Sequence, residues 1–187
     1  GGRHLPSVGR PIPGAQVRIE AADGSPCPPG QTGEIVARGP GQMLGYYRAD
    51  PELNASVLRD GWYHTGDVGW LDEDGFLYVS GRKDDMIISG GENIYPKEIV
   101  DVIMELTGDV AEAAVYGMPD DEWGERVKAS VVLLPGSALT PERLRAYCLA
   151  SMPRYKVPKE IEFLPELPKN STGKVMIQEL KNRPITT

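Results

Sequence analysis

The chain of 187 residues is predicted to be α+β: an antiparallel, β-rich segment followed by a small α+β domain. Three observations carry the prediction. Residues 1–82 hold short alternating segments divided by Gly- and Pro-rich turns, the pattern of short antiparallel strands. From residue 84 onward, apolar residues recur at helical spacing between strand-like runs. The two characters meet at Arg82-Lys83-Asp84-Asp85, four charges set directly against Met86-Ile87-Ile88. A solvated run feeding an apolar strand marks a boundary, which sets the two segments at 1–83 and 84–187.

In the first segment Gln16–Glu20, Gly33–Arg38 and Gly75–Gly81 read as strands, divided by Asp23-Gly24, Pro28-Pro29-Gly30, Asp60-Gly61 and Asp74-Gly75. Pro51–Leu58 reads as a short helix. Asp50 supplies the N-cap, and Pro51 sits in the first turn, where its missing N–H has no intrahelical partner to lose. In the second segment Ile87-Ile88 opens a short strand that Gly90-Gly91 turns. Pro96–Leu106 carries Ile99, Val102, Ile103 and Leu106 on one helical face, with Gly108 just past its end. Ala113–Tyr116, Val127–Leu134 and Ile161–Leu164 read as strands. Thr140 caps a helix running to Met152, and Val175–Asn182 is the last helix.

Composition narrows the function. With 40% hydrophobic and 25% charged residues, a chain of this size can bury a real core. No apolar run approaches the roughly 18–20 residues of a membrane span. A net charge of −7 argues against unspecific nucleic-acid binding. The charge is uneven, because residues 154–187 hold seven Lys or Arg against four Glu, a net +3 that leaves −10 elsewhere. That basic end suits a local anionic partner or a solvated face. Cys27 and Cys148 lie far apart without metal-ligand spacing, so two free thiols, a reducing cytoplasmic setting and no metal site are expected.

Three stretches carry chemistry. In Tyr63-His64-Thr65-Gly66-Asp67, the carboxylate can accept two hydrogen bonds from a ribose diol, or serve an ordinary turn. His64 reads as a packed histidine. Gly90 and Gly91 allow close backbone approach or positive φ, or form a plain hairpin turn. In Pro168-Lys169-Asn170-Ser171-Thr172-Gly173-Lys174-Val175, a lysine at the mouth of a helix can reach a phosphate. This is not a Walker A loop, since Pro168 stands where the first Gly belongs and Val175 replaces the hydroxyl residue. Gly39–Gly45 has the wrong spacing and a proline for a dinucleotide loop.

Taken in order, the stretches resemble one family. SVGRPIPG (7–14), GEIVARGPGQMLGYY (33–47), DGWYHTGDVGWLDEDGFLYVSGRKDDMIISGGENIYPKEIV (60–100), GMPDDEWGERVKASVVL (117–133) and YKVPKEIEFLPELPKNSTGK (155–174) are similar to the C-terminal part of adenylate-forming, AMP-binding enzymes. That superfamily holds acyl-CoA synthetases, luciferases and peptide-synthetase adenylation domains. Ile87–Pro96 looks most like acyl- or aryl-CoA synthetases.

The resemblance implies that residues 1–83 are the tail of the large adenylating domain and 84–187 the small mobile domain. It implies a ligase for a fatty or aromatic acid that forms an acyl-adenylate from ATP and then a CoA thioester. By similarity Asp67 and Arg82 hold the nucleotide's ribose, and Lys174 is the catalytic lysine that also binds the nucleotide. Asp84 is the hinge, and Ser89, Gly90, Gly91, Trp123 and Lys159 line the pantetheine or CoA path. Lys156 is a further candidate for CoA phosphates. The family's phosphate loop, its adenine- and Mg²⁺-placing segment and its acyl pocket have no counterpart in these residues. They belong to the N-terminal domain, the expected partner, without which this segment is expected to be inactive. A noncatalytic module binding adenine nucleotide or a partner is the other reading. It gives no purpose to Asp67, Arg82 and Lys174 together.

Overall fold

Alternation with turn residues on either side makes the first half a sheet. In the computed structural model, which describes residues 7–183, β1 (Gln16–Glu20) and β2 (Gly33–Arg38) pair antiparallel from Gln16↔Arg38 to Glu20↔Glu34. Helix α1 (Pro51–Val57) begins at Asp50, whose carboxylate accepts the Glu52 N–H at 2.9 Å. The two-residue β3 (Leu58–Arg59) then turns at Asp60-Gly61 into β4 (Trp62–Leu71), and β5 (Leu77–Arg82) follows. Strand β4 is the centre: β2 lies on one edge, while β3 and β5 share the other at its two ends. Ile19, Ile35, Val36, Trp62 and Val68 are the buried apolar residues here. The Trp62 ring lies against the guanidinium groups of both Arg18 and Arg38.

Strand β4 runs on past Gly66-Asp67 to Leu71. Paired neighbours on both edges hold the chain extended there, and a bulge between Val68 and Gly69 absorbs the mismatch.

The second unit begins with the hairpin β6 (Ile87–Ser89) and β7 (Glu92–Ile94), followed by α2 (Pro96–Met104). Strands β8 (Val110–Asp120) and β9 (Gly124–Leu133) form a long antiparallel hairpin. Helix α3 (Pro141–Ser151) is capped by Thr140, whose hydroxyl accepts the Arg143 N–H. A 3-10 turn at Arg154–Lys156 leads to β10 (Glu160–Phe163), parallel to β9, and α4 (Ile177–Lys181) closes the described chain. The sheet order is β10-β9-β6-β7, with β8 also on β9.

Period-two alternation gives this sheet two faces. On one, Val115, Val127, Ala129 and Val131 pack with Ile99 and Ile103 of α2 and Leu144 and Cys148 of α3. On the other, Ala114 and Tyr116 pack with Leu167 and Leu180. That second face also holds a polar network. The Lys128 ammonium lies 2.7 Å from Glu160 and 3.3 Å from Glu162, and Ser130 donates to Glu162 at 2.6 Å. Burial disfavours the Lys128 charge, but its carboxylate partners outweigh that and raise its pKa.

The chain divides into two compact units, Gly1–Asp84 and Asp85–Thr187, so the break falls within the charged run. No helix among the described residues is long and apolar enough to cross a membrane.

Candidate functional site

In the first unit the pairing of β4 with β5 sets Asp67 opposite Arg82, and Arg82 Nη1 lies 3.2 Å from Asp67 Oδ1. Thr65 orients the acid: its hydroxyl accepts the Asp67 N–H at 3.0 Å and donates to the Ile35 carbonyl at 2.8 Å. The two charged side chains are 39% and 53% exposed, so their mutual attraction is weak and both remain open to a ligand. His64 is buried instead. Arg59, which can only donate, lies 2.6 Å from its Nδ1, so Nδ1 is the acceptor. Asp84 is exposed and forms part of the turn at the unit boundary.

In the second unit a pocket of about 980 Å³ is lined by the β6–β7 hairpin, including Glu92, the turn between β8 and β9, and α3 with the segment after it. Trp123 is held there by its turn: Asp120 Oδ1 accepts the N–H groups of Glu122 and Trp123 at 3.1 and 3.0 Å, and Gly90 N–H donates to the Trp123 carbonyl at 2.9 Å. Gly90 has φ of 60°, and a Cβ built on it would stand 2.6 Å from the indole, so the ring occupies the space a side chain would need. The Lys159 ammonium lies 4.3 Å from the indole centroid, a cation–π contact.

Ser89, Gly90, Trp123 and Lys159 therefore share one pocket, whereas Gly91 is not in its lining. Arg145 and Arg154 add two cations that sequence reasoning missed, and Leu149 and Tyr155 add apolar surface. Their only sequence signal is the i, i+4 spacing of Arg145 and Leu149 on α3. Lys156 is otherwise engaged, in a half-buried ion pair with Glu98.

Lys174 lies in a tight loop rather than at a helix mouth, because α4 starts only at Ile177 and has five residues. The loop is closed by the Lys169↔Val175 bridge and by Gly173, which adopts φ of 82° and donates to the Asn170 carbonyl at 2.9 Å. Lys169 pairs with Glu112 of β8 at 2.6 Å. Among the described residues no three His, Cys, Asp or Glu side chains converge to hold a metal ion. Cys27 and Cys148 are free thiols; burial pushes the Cys148 pKa up to about 11.

Comparison with known proteins places the chain in a family. The AMP-binding enzyme C-terminal domain family matches residues 98–174, and the AMP-binding enzyme family matches residues 2–47. A sulfoacetate–CoA ligase from Cupriavidus necator is 44% identical over 97% of this chain and 35% of its own length. An indoleacetate–CoA ligase from Aromatoleum aromaticum is 46% identical over 96% of this chain and 35% of its own. Among solved structures, an o-succinylbenzoate CoA synthetase from Bacillus subtilis in complex with its acyl-adenylate intermediate superposes with a TM-score of 0.88. It is 39% identical over 95% of this chain and 36% of that one. An amide bond synthetase from Marinactinospora thermotolerans gives 0.87 at 40% identity, over 94% of this chain and 36% of that one. The chain thus spans about a third of the length of the relatives it matches. By sequence and by fold, the chain belongs to the AMP-binding, adenylate-forming enzyme family.

Proposed function

We propose that these residues work as the C-terminal part of an ATP-dependent acid–CoA ligase that activates a fatty or aromatic acid in a cytoplasmic setting. Residues 1–83 act as the tail of its large domain and 84–187 as its small mobile domain. In the first step a carboxylate attacks the α-phosphate of ATP and pyrophosphate leaves. Asp67 accepts hydrogen bonds from the ribose hydroxyls, with Arg82 alongside. The Lys174 ammonium meets the charge that gathers on the phosphoryl oxygens; a preplaced cation of this kind is worth on the order of 10²–10³ in rate. ATP brings its own Mg²⁺, for which the described residues offer no ligand cluster. In the second step the CoA thiol attacks the acyl carbonyl and AMP leaves with the bonding pair. The exposed turn at Asp84 is a fitting pivot between the two steps, since φ and ψ can change there in solvent.

The observation that carries the thiol acceptor is the pocket. Trp123, Leu149 and Tyr155 give it apolar walls for a pantetheine arm, with Ser89 and the bare backbone of Gly90 at the turn of β6. Arg145, Arg154 and Lys159 give it cations for CoA phosphates.

The test is ATP–pyrophosphate exchange by the full-length protein on a panel of carboxylic acids, followed by product analysis with CoA or a simple amine. Exchange with a fatty or aromatic acid, followed by a CoA thioester, is expected. Exchange that ends in an amide, with CoA inert, would overturn the thiol reading. Lys174→Ala should abolish exchange yet spare thioester formation from supplied acyl-adenylate.

A further inference from the structure

The geometry points to Asn170 as the positioning residue for Lys174, an inference that rests on the catalytic reading of that lysine. One atom organises the loop. Asn170 Oδ1 accepts the Thr172 N–H at 3.0 Å, the Thr172 hydroxyl at 2.8 Å and the Lys174 N–H at 2.9 Å. The Asn170 N–H in turn donates to the Lys174 carbonyl at 2.9 Å. Both backbone polar groups of Lys174 are thus held by a single residue four positions earlier.

The Lys174 side chain is treated differently. It is exposed, and its ammonium has no salt-bridge partner among the described residues. Lys169, one residue before Asn170, is tied to Glu112, so the root of the loop is fastened to β8. Pro168 accepts the Met176 N–H at 2.8 Å, and Leu167 and Val175 pack on the second face of the sheet. The result is a rigid base with a free arm. A free lysine on a loose loop would have to order several backbone torsions each time it met a phosphate. Here Asn170 has ordered them beforehand, so the ammonium need only choose its own rotamer.

The Oδ1 acceptor is the essential feature, which separates two substitutions. Asn170→Ala removes all three of its hydrogen bonds. Asn170→Asp keeps an oxygen in the same place. In the full-length protein, ATP–pyrophosphate exchange and thioester formation from supplied acyl-adenylate are measured separately for both variants and for Lys174→Ala. Asn170→Ala should slow exchange about tenfold to a hundredfold, as small misplacements of catalytic groups do, with the ATP KM changed far less than kcat. Its thioester step should stay within about twofold of the parent, and Asn170→Asp should restore most of the exchange rate.

If Lys174→Ala abolishes exchange while Asn170→Ala leaves it intact, the positioning role is wrong and the catalytic reading survives. If Lys174→Ala leaves exchange intact, the reading beneath it fails. Equal loss of both steps in Asn170→Ala, or an Asn170→Asp protein as slow as Asn170→Ala, also overturns the proposal.

Discussion

Gly90 offers a sharp test of how the pocket is built. Two costs attend Gly90→Ala. The residue sits at φ of 60°, where a Cβ crowds its own backbone, at roughly 1–2 kcal/mol. The new methyl would also stand 2.6 Å from the Trp123 ring, so the ring must move. Overpacking costs about 1–3 kcal/mol, and the lower end applies here because Trp123 is 42% exposed and its ring can swing outward. The expected total is about 2–3 kcal/mol. Gly91→Ala is the internal control: φ is 84°, but nothing lies within 4 Å of its Cβ, so only the backbone cost of about 1–2 kcal/mol remains. Urea unfolding followed by far-ultraviolet circular dichroism, with one transition for each unit, measures both. The gap of about 1 kcal/mol should vanish when the pair is compared in a Trp123→Ala background. Equal destabilisation in the native background, or a gap that persists without the indole, would refute the reasoning.

Three more outcomes follow. Lys128→Met leaves Glu162 without its cation and Glu160 with Arg126 alone; breaking such a buried pair costs about 3–5 kcal/mol, and the partly exposed carboxylates favour the lower figure, read as a fall in urea midpoint. The raised Cys148 pKa makes the unfolded chain lose its thiol proton first as pH rises above 9, so stability falls until about pH 11; at about pH 10.5 the loss is about 2 kcal/mol. Urea midpoints at about pH 8 and 10.5 should therefore drop further for the native protein than for Cys148→Ala, and equal drops would contradict the burial argument. In the full-length protein, Asp84→Pro fixes φ in the turn and should slow the thioester step while sparing adenylation; an unchanged overall rate would argue against a pivot at this position.

Strands β1 and β2 were legible to the residue, because alternating apolar residues stop at clear Gly and Pro turns. Helices α1 and α3 were legible from Asp50 and Thr140, whose side chains make the expected cap bonds. Strand β8 was not. It runs from Val110 to Asp120 through Gly117 and Pro119, residues that locally speak against a strand. Its ladder with β9 extends past them, so pairing overrides propensity. The expected last helix, Val175–Asn182, is longer than the observed α4 for a related reason. Val175 is bridged to Lys169 and the Met176 N–H is held by the Pro168 carbonyl, so the helix starts only at Ile177. Among the candidate residues, Asp67, Arg82, Gly90 and Lys174 stood out because each sits in a short distinctive motif. Arg145, Arg154 and Tyr155 did not, since their pocket joins elements more than 50 residues apart and no local pattern encodes that meeting.

The two faces of the second sheet are unequal, and this bears on how the protein fails. One is backed by two helices and a broad apolar cluster; the other by a thin cover of Leu167, Val175, Ile177 and Leu180 that carries the Lys174 loop. A cover with so little apolar anchorage is the natural first piece to peel away under heat or denaturant, and amide hydrogens there should exchange with solvent ahead of those in α2. On the role proposed for Lys174, chemistry would then be lost before structure, and the protein would go silent while most of its secondary structure was still intact.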